Sequence, residues 1–380
     1  MKLNGPLTFV PILLLVLGTS ALKLEEEEPR QKRLFSLFNV VRFRNEPCSG
    51  GRLDNIGTCM SSTECVSAGG NTIGNCAAGF GICCGFSIVG CGGTVTQNCT
   101  VIRNEGFPSP TTETDKTCTY NFNRIDSNIC QMRLDFQPTT TLPLATLPDG
   151  QCGDTGAELR VGSGFSNNAA AFPPVICGQL TGQHLYFESG STGNAGSLAI
   201  SLGTTPGPRQ YNIKVSYIPC DSPLRPPSGC TQYFTGLTGT VTSYNFAGGQ
   251  FLGGHNYNNC IRQLEGFCSF SVAESAIVTP DPFDVSNANM IQDNCMKLSH
   301  VLIPSSVMIH DNDRMVIVIP SMRCGQNFGS VSGPDQRVPS SLPSLPNVPF
   351  AIGVRTLPAM LVGGVTGLGG FSLDYTQVPC

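Results

Sequence analysis

The sequence predicts an all-β chain built from β-sandwiches, and three observations carry that prediction. Gly and Pro supply 44 and 28 of the 380 residues, which favours short strands joined by turns over long helices. Apolar and polar residues alternate in CQMRLDF, YNIKVSY and FSLDYTQ, as in strands with one buried face. Nineteen cysteines then indicate that disulfides hold these strands together. The continuous apolar run RMVIVIP could be a central strand.

The overall charge argues against broad electrostatic partners. The formal net charge is −4, and charged residues make up 13% of the chain, against about 25% in an average soluble protein. Neither a nucleic acid nor a membrane surface is therefore an expected partner.

The N-terminus resembles a secretory signal peptide over residues 1–21, with cleavage after Ala21. Lys2 precedes the apolar run LTFVPILLLVLG, and small residues follow it. A membrane anchor is the alternative, but a run of about twelve residues is too short to span a bilayer. A cleaved signal would send the chain to an oxidising, extracellular space, where cysteines form disulfides.

Residues 22–33 form an acidic segment that ends in a basic cluster at Arg33. Processing after Arg33 and a simple solvated linker are equally good interpretations. The apolar segment 34–47 follows, with helical spacing in part, although a docked strand fits equally well.

No later stretch is expected to span a membrane. The apolar residues 350–371 are interrupted by Arg355, Pro358 and several glycines, and the chain then ends in a polar segment. A released, secreted protein is expected.

Residues 48–84 form a compact cysteine module with the spacing C-x10-C-x5-C-x10-C-x6-CC. Its few large apolar residues cannot build an independent core, so disulfides must hold it. Spacing alone leaves fifteen connectivities open. The terminal Cys-Cys pair and the order of the cysteines resemble the clip module of arthropod extracellular proteins. That resemblance implies the pairs Cys48–Cys83, Cys59–Cys76 and Cys65–Cys84.

The remaining chain contains two copies of one unit, 91–220 and 230–380, joined by the Pro-rich linker 221–229. GTVT and CGQ each occur once in both copies, and both copies end in a PC dipeptide. Cysteine spacings of 27, 12, 22, 25 and 43 residues in the first copy match 30, 8, 27, 29 and 56 in the second. Many short strands separated by turn residues are typical of a sandwich in each copy.

The motifs of both copies resemble the CUB domain. CGGTVT, NEGFPSP and CTYNF open the first copy, CGD and ICGQ follow, and the second copy keeps TGTVTSYNF. The order of the modules resembles a set of secreted arthropod CUB proteins. The resemblance implies two jelly-roll β-sandwiches preceded by a clip-like module. It also implies the family disulfides Cys91–Cys118, Cys152–Cys177, Cys230–Cys260 and Cys295–Cys324. Symmetry between the copies then suggests Cys130–Cys220 and Cys268–Cys380.

Cys99 has no partner in this scheme. It would be a free thiol, a bridge to a second chain, or a sign that the pairing is wrong. Asn98-Cys99-Thr100 is also an N-glycosylation sequon, so Asn98 is a candidate glycan site. Unpaired thiols are uncommon in secreted proteins, and we therefore rank a bridge, and hence a covalent homodimer, slightly first.

No metal site or cofactor is expected. Asp154 holds the position of one CUB calcium ligand, but the expected Glu is missing and Lys297 replaces the equivalent Asp in the second copy. One carboxylate is insufficient for calcium, so Asp154 is interpreted as a turn residue. The stretch HDND (310–313) is interpreted as a hairpin turn and not as a metal loop.

The sequence also predicts a non-enzyme. It contains no G-x-S-x-G, H-E-x-x-H or P-loop motif. Ile88-Val89-Gly90 is similar to an activated serine-protease N-terminus, but no serine or histidine loop of that family follows. An unrecognised enzyme stays open, because missing motifs are weak evidence on unfamiliar folds. His184 is interpreted as an ordinary strand residue.

The function expected from these features is non-catalytic binding or scaffolding of extracellular proteins or glycans. CUB domains of the family bind through loops at the sandwich ends, and residues 163–174 and 332–349 are candidates, although plain surface loops are the simpler interpretation. The alternative is a regulator of an extracellular protease cascade that acts through the clip-like module.

Overall fold

The computed structural model divides the chain into two compact units, Met1–Arg42 and Phe43–Cys380, and all residues described below belong to the second unit. The structure describes residues 44–51, 56–141, 150–152, 157–163, 173–190, 193–276, 281–286, 292–303, 307–310, 315–318, 321–326, 328, 340–341, 350–358 and 367–380. Ala21, Arg33, Asp154 and most of the two candidate loops lie outside these ranges.

The cysteine module is a small antiparallel sheet with one short helix. Its strands are β1 (Pro47–Ser49), β2 (Ile56–Met60), β3 (Asn71–Cys76) and β4 (Gly81–Val89), and α1 covers Ser62–Ser67. The Ser61 hydroxyl accepts the N–H of Glu64, and the Glu64 carboxylate accepts the N–H of Ser61. This capping box satisfies two backbone donors at the start of α1.

Strand β4 is shared between the cysteine module and the first sandwich. Its first half pairs with β2 and β3 and carries Cys83 and Cys84. Its second half, from Phe86 to Val89, pairs in parallel with Thr100–Arg103. The module therefore continues a sheet of the sandwich.

The first sandwich consists of two sheets. Its strands are β5 (Gly93–Val95), β6 (Thr100–Arg103), β7 (Thr117–Phe122), β8 (Ile129–Phe136), β9 (Glu158–Ser163), β10 (His184–Glu188), β11 (Gly196–Ser201) and β12 (Asn212–Pro219). One sheet has the order β4-β6-β12-β8-β10, and the other has the order β5-β7-β11-β9. The alternation in β8 and β12 buries Leu134 and Ile213 completely, among the other residues of the core.

The second sandwich repeats this architecture with more strands. They are β13 (Cys230–Phe234), β14 (Thr238–Thr242), β15 (Asn256–Ile261), β16 (Phe267–Glu274), β17 (Phe283–Asp284), β18 (His300–Leu302), β19 (Val307–His310), β20 (Met315–Val318), β21 (Met322–Arg323), β22 (Ser340–Ser341), β23 (Ala351–Arg355) and β24 (Gly370–Pro379). The sheets have the orders β13-β15-β23-β18-β21 and β14-β24-β16-β22-β19-β20, with β17 beside β24. Among the described residues, short 3₁₀ helices cover Ala77–Gly79, Phe246–Gly248 and Gln292–Lys297.

The all-β prediction is confirmed, since strands dominate the described residues of both sandwiches. The RMVIVIP run is not central, because among the described strands β20 stands at the end of its sheet and pairs with β19 alone. An apolar run indicates burial but does not reveal how many neighbours a strand has. Antiparallel pairing of β19 with β20, with His310 opposite Met315, fits the hairpin interpretation of HDND.

Candidate functional site

Nine disulfides link the described residues. They are Cys48–Cys83, Cys59–Cys76, Cys65–Cys84, Cys91–Cys118, Cys130–Cys220, Cys152–Cys177, Cys230–Cys260, Cys268–Cys380 and Cys295–Cys324. The motif resemblance and the symmetry of the two copies imply the same nine pairs. Cys130–Cys220 and Cys268–Cys380 occupy equivalent places, each joining an internal strand of a sandwich to the end of its last strand.

Cys99 is the free cysteine, and it is fully buried, with 0% of its surface exposed. It lies in the turn before β6 with a φ of 58°, a left-handed conformation that is uncommon for a non-glycine residue. Burial raises the pKa of its thiol, and Lys214 opposes that effect. A bridge from Cys99 to a second chain would therefore require this turn to open.

Asn98 ties the same turn to two neighbouring segments. Its Oδ1 accepts the backbone N–H of Cys99 and that of Tyr217 in β12, both at 2.9 Å. Its backbone carbonyl accepts the hydroxyl of Thr58 in β2 at 3.0 Å. The sequon asparagine is half-buried, and both bonds to its side chain use the oxygen, whereas a glycan would be attached to the nitrogen.

A continuous interface, here called the seam, joins residues 91–220 to residues 221–380. Strand β10 lies at its centre and is buried on both faces. Leu185 and Phe187 are buried in the main hydrophobic cluster, where Phe187 packs against Phe122 of β7 at a ring distance of 5.8 Å. Tyr186 packs with Tyr233 of β13 at a ring distance of 6.3 Å. A strand with two covered faces loses the alternation of a half-exposed strand.

His184 makes a specific bond across the seam. Its Nε2 accepts the backbone N–H of Tyr233 at 2.8 Å, so this nitrogen carries no proton. Its ring lies 5.2 Å from that of Phe234, and its carbonyl accepts the hydroxyl of Tyr244 at 2.9 Å. His184, the first residue of β10, is therefore held against the second sandwich.

Side-chain amides add a second group of bonds to the seam. Gln183 Nε2 donates to the Thr242 hydroxyl at 2.9 Å and to the Ser243 carbonyl at 2.8 Å. Its Oε1 accepts the N–H of Asn245 at 3.3 Å, and Asn245 Oδ1 accepts the N–H of Gln179 at 2.8 Å. These hydrogen bonds pair polar groups of the first sandwich with polar groups of the second.

A second histidine, His255, crosses the seam in the opposite direction. Its Nε2 contacts the Val175 carbonyl at 2.8 Å, and because a carbonyl only accepts, this nitrogen carries the proton. Gly253 donates its N–H to the Gly150 carbonyl at 2.8 Å nearby. Each sandwich therefore contributes one buried histidine to the seam.

Burial controls the protonation of both histidines. It lowers the pKa of His184 to about 4, with a further decrease from Arg133, while Asp135 opposes the change. Burial also lowers the pKa of His255 to about 4, opposed by its bond to Val175. Both rings are therefore neutral near pH 7.

The cysteine module presents exposed apolar side chains. Phe80 is 68% exposed and Val66 is 74% exposed. Phe80 follows three consecutive residues with positive φ, namely Ala77, Ala78 and Gly79. Such backbone is costly for the two alanines and persists only where the surrounding structure imposes it. The β3–β4 hairpin therefore holds Phe80 in a defined, exposed position.

The remaining candidate residues are not assembled into a reactive site by the described part of the chain. Within it, no group of three or more His, Cys, Asp or Glu side chains could hold a metal ion. His184 and His255 both take part in seam bonds. No helix among the described residues is long and apolar enough to cross a membrane.

Comparison with known proteins gives one family match. Residues 227–378 match the family model of the animal CUB domain. No curated protein matches the chain. The similar solved structures include the CUB1-EGF-CUB2 domain of human MASP-1/3, at 15% identity, and the full extracellular region of zebrafish Gpr126/Adgrg6, at 11% identity.

The alignments to these structures are long, but their TM-scores are low. The first covers 73% of this chain and 98% of the other with a TM-score of 0.24, and the second covers 74% and 36% with a TM-score of 0.25. The family match lies in the second sandwich, and a CUB domain supports protein binding in general. The protein is therefore a nearly all-β, disulfide-rich chain that contains a region matching the animal CUB domain.

Proposed function

We propose that this chain is a secreted, non-catalytic binding or scaffold protein that uses its CUB-like sandwiches to bind extracellular proteins or glycans. The match of residues 227–378 to the animal CUB domain carries the proposal. Nine disulfides support an oxidising, extracellular location. The seam supports a scaffold role, because it holds two binding units in one arrangement.

Removal of the signal peptide after Ala21, processing after Arg33 and a glycan on Asn98 belong to the same proposal. The intact mass of the secreted protein before and after enzymatic deglycosylation tests all three. A mature chain that begins at residue 34 and loses a glycan mass is the expected result, and a chain that begins at residue 22 would contradict processing after Arg33. A full-length chain without any glycan would contradict these assignments. A covalent homodimer through Cys99 is disfavoured by the burial of its thiol.

The second candidate is regulation of an extracellular protease cascade through the cysteine module, which resembles a clip module. The exposed Phe80 on its constrained hairpin favours it. An apolar side chain held outward in this way costs little further ordering when a partner covers it.

Site-specific photo-crosslinking of the full-length secreted protein separates the two candidates. A benzophenone amino acid replaces either Met296, which is 76% exposed on the second sandwich, or Phe80 on the cysteine module. Exposed Ile125 of the first sandwich serves as a third position. Each protein is irradiated in the extracellular fluid of its source, and the adducts are identified by mass spectrometry.

The CUB-centred proposal expects protein adducts from Met296 or Ile125 that persist when Phe80 is changed to Ser. Adducts that form only at Phe80 would overturn it and favour the regulator. Adducts whose yield disappears after enzymatic removal of the partner's glycans would identify glycan as the bound class. An adduct whose formation is unaffected by that treatment would identify protein.

A further inference from the structure

We propose that the seam is an acid-sensitive clamp, closed at neutral pH and opened in mild acid by protonation of His184 and His255. The clamp concerns the relative freedom of the two sandwiches, and it does not depend on which partner the protein binds. Its components are the hydrogen bonds of the two histidines, the hydrogen bonds of the Gln183 and Asn245 side-chain amides, and the aromatic contacts of β10 with β13.

The geometry of His184 makes its bond incompatible with a proton on Nε2. In the closed seam this nitrogen accepts the N–H of Tyr233 at 2.8 Å. A protonated imidazole has N–H groups on both nitrogens and no acceptor. Protonation would therefore place two donors against each other, and the ring would have to leave β13.

Charged groups around His184 do not compensate for a positive ring. Arg133 of β8 lowers the pKa of His184, and Asp135 of β8 raises it. These two side chains already form an ion pair at 2.6 Å, and Arg133 also donates to the Tyr186 hydroxyl at 2.8 Å. The tyrosines that contact His184 across the seam, Tyr233 and Tyr244, are neutral in acid.

His255 contributes through burial. Its bond to the Val175 carbonyl survives protonation, since Nε2 remains a donor, but the charge would lie inside the seam. The neighbouring ring is that of Tyr257, at 5.8 Å, and no described residue forms an ion pair with His255. An unpaired buried charge is costly, so the ring is protonated more easily when the seam is open.

The strength of the effect follows from linkage. Each histidine has a pKa of about 4 in the closed state, and this pKa is expected to return towards its ordinary value of 6.5 when the ring is exposed. Because the closed-state pKa is the lower one, closing is weakened as pH falls from about 6.5 to about 4. At pH 5 the opening constant rises by about 30-fold per histidine, and by roughly 1,000-fold for both.

Each sandwich is expected to stay folded while the seam opens. Both keep their own disulfides and the strand pairings of their own sheets, which do not depend on a titrating histidine bond. The chain remains connected through residues 221–229. Opening should therefore expose the amides that bond across the seam, while the amides inside the β-ladders stay protected.

Amide hydrogen exchange of the full-length protein at pH 7.5 and pH 5, corrected for intrinsic rates, tests the clamp. The reporting amides are those of Tyr233, Gln179 and Gly253, which donate across the seam. The amide of Leu134 in the β8 ladder is the internal control. The expected result is a loss of protection of two to three orders of magnitude at the seam on acidification, with Leu134 remaining protected.

Glutamine variants complete the test. His184→Gln and His255→Gln keep a neutral acceptor or donor without a titrating ring, and the double variant should lose the pH dependence. His300→Gln is the matched control, because His300 lies in β18 and bonds to Leu298 of its own sandwich. Unchanged seam protection at pH 5, equal losses at Leu134, or an unaltered pH response of the double variant would each overturn the proposal.

Discussion

At the scale of single residues, the turn that contains Asn98 and Cys99 links three parts of the chain. Thr58 reaches it from the cysteine module, and Tyr217 reaches it from β12. Cys99 is the cysteine without a disulfide partner, and Asn98 is the candidate glycan site. Both can be tested with single substitutions or labels.

Cys99 should be unreactive in the folded protein. Its thiol is fully buried and its pKa is raised by burial, and both effects suppress the reactive thiolate. We expect no modification by excess maleimide at pH 7.5, and one label per monomer after denaturation without reductant. Rapid labelling of the folded protein, or a disulfide-linked species of twice the mass, would contradict this expectation.

The side chain of Asn98 should stabilise the fold independently of any glycan. Asn98→Ala and Asn98→Asp both destroy the sequon, but only Asp keeps an oxygen that can accept the N–H groups of Cys99 and Tyr217. We expect the Ala variant to be less stable than the Asp variant by about 1–3 kcal/mol, measured by urea denaturation. Equal stability of the two variants would show that these bonds contribute little.

At the scale of elements, β4 and β10 each contact two parts of the molecule. β4 belongs to the cysteine module at its start and to the first sandwich at its end. β10 buries one face in its own sandwich and the other in the seam. The alternation in FSLDYTQ and CQMRLDF was sufficient to predict β24 and β8, because each residue's face is set by the two-residue period of a strand.

The disulfides that close long loops should stabilise the fold more than those that close short loops. Cys130–Cys220 closes a sequence separation of 90 residues, whereas Cys59–Cys76 closes 17. Chain entropy assigns them about 4.6 and about 3.1 kcal/mol respectively. Replacement of each pair by alanines should therefore lower the free energy of unfolding more for Cys130–Cys220.

Cys268–Cys380 provides a matched comparison, since its separation of 112 residues predicts a loss close to that of Cys130–Cys220. Chemical denaturation of the three double-alanine variants shows which disulfide contributes most to the free energy of unfolding. A larger loss for Cys59–Cys76 than for both long loops would show that local packing of the cysteine module outweighs loop length.

At the scale of the whole molecule, global stability should decrease in mild acid. His184 and His255 have pKa values of about 4 in the folded chain, below the unfolded value of about 6.5. Their contribution to the free energy of unfolding is complete above pH 6.5 and is lost as pH falls to about 4. The loss amounts to about 3 kcal/mol per histidine.

Urea denaturation at pH 7.5 and pH 5 measures the part of this loss that is reached at pH 5, about 2 kcal/mol per histidine. The double variant His184→Gln, His255→Gln should show a smaller pH dependence than the natural chain. His300→Gln should behave like the natural chain. A pH dependence that is the same in the double variant would assign the acid sensitivity to other groups.

The sequence by itself determined the features that depend on local pattern and on repetition. Alternation of side chains predicted the strands, and two sets of six cysteines in register predicted two similar units. The motif resemblance then implied most of the disulfide pairs. These features are readable because strand periodicity and repeat register are properties of neighbouring positions along the chain.

Only the tertiary structure decided which outer surfaces are covered. The cysteine count isolated Cys99 but did not reveal that its side chain is buried, and His184 resembled an ordinary strand residue until Tyr233 was placed against it. Likewise, no local signal joins β4 to β6 or His255 to Val175. Burial of an outward-facing side chain depends on segments far apart in sequence, which come together only when the two sandwiches pack.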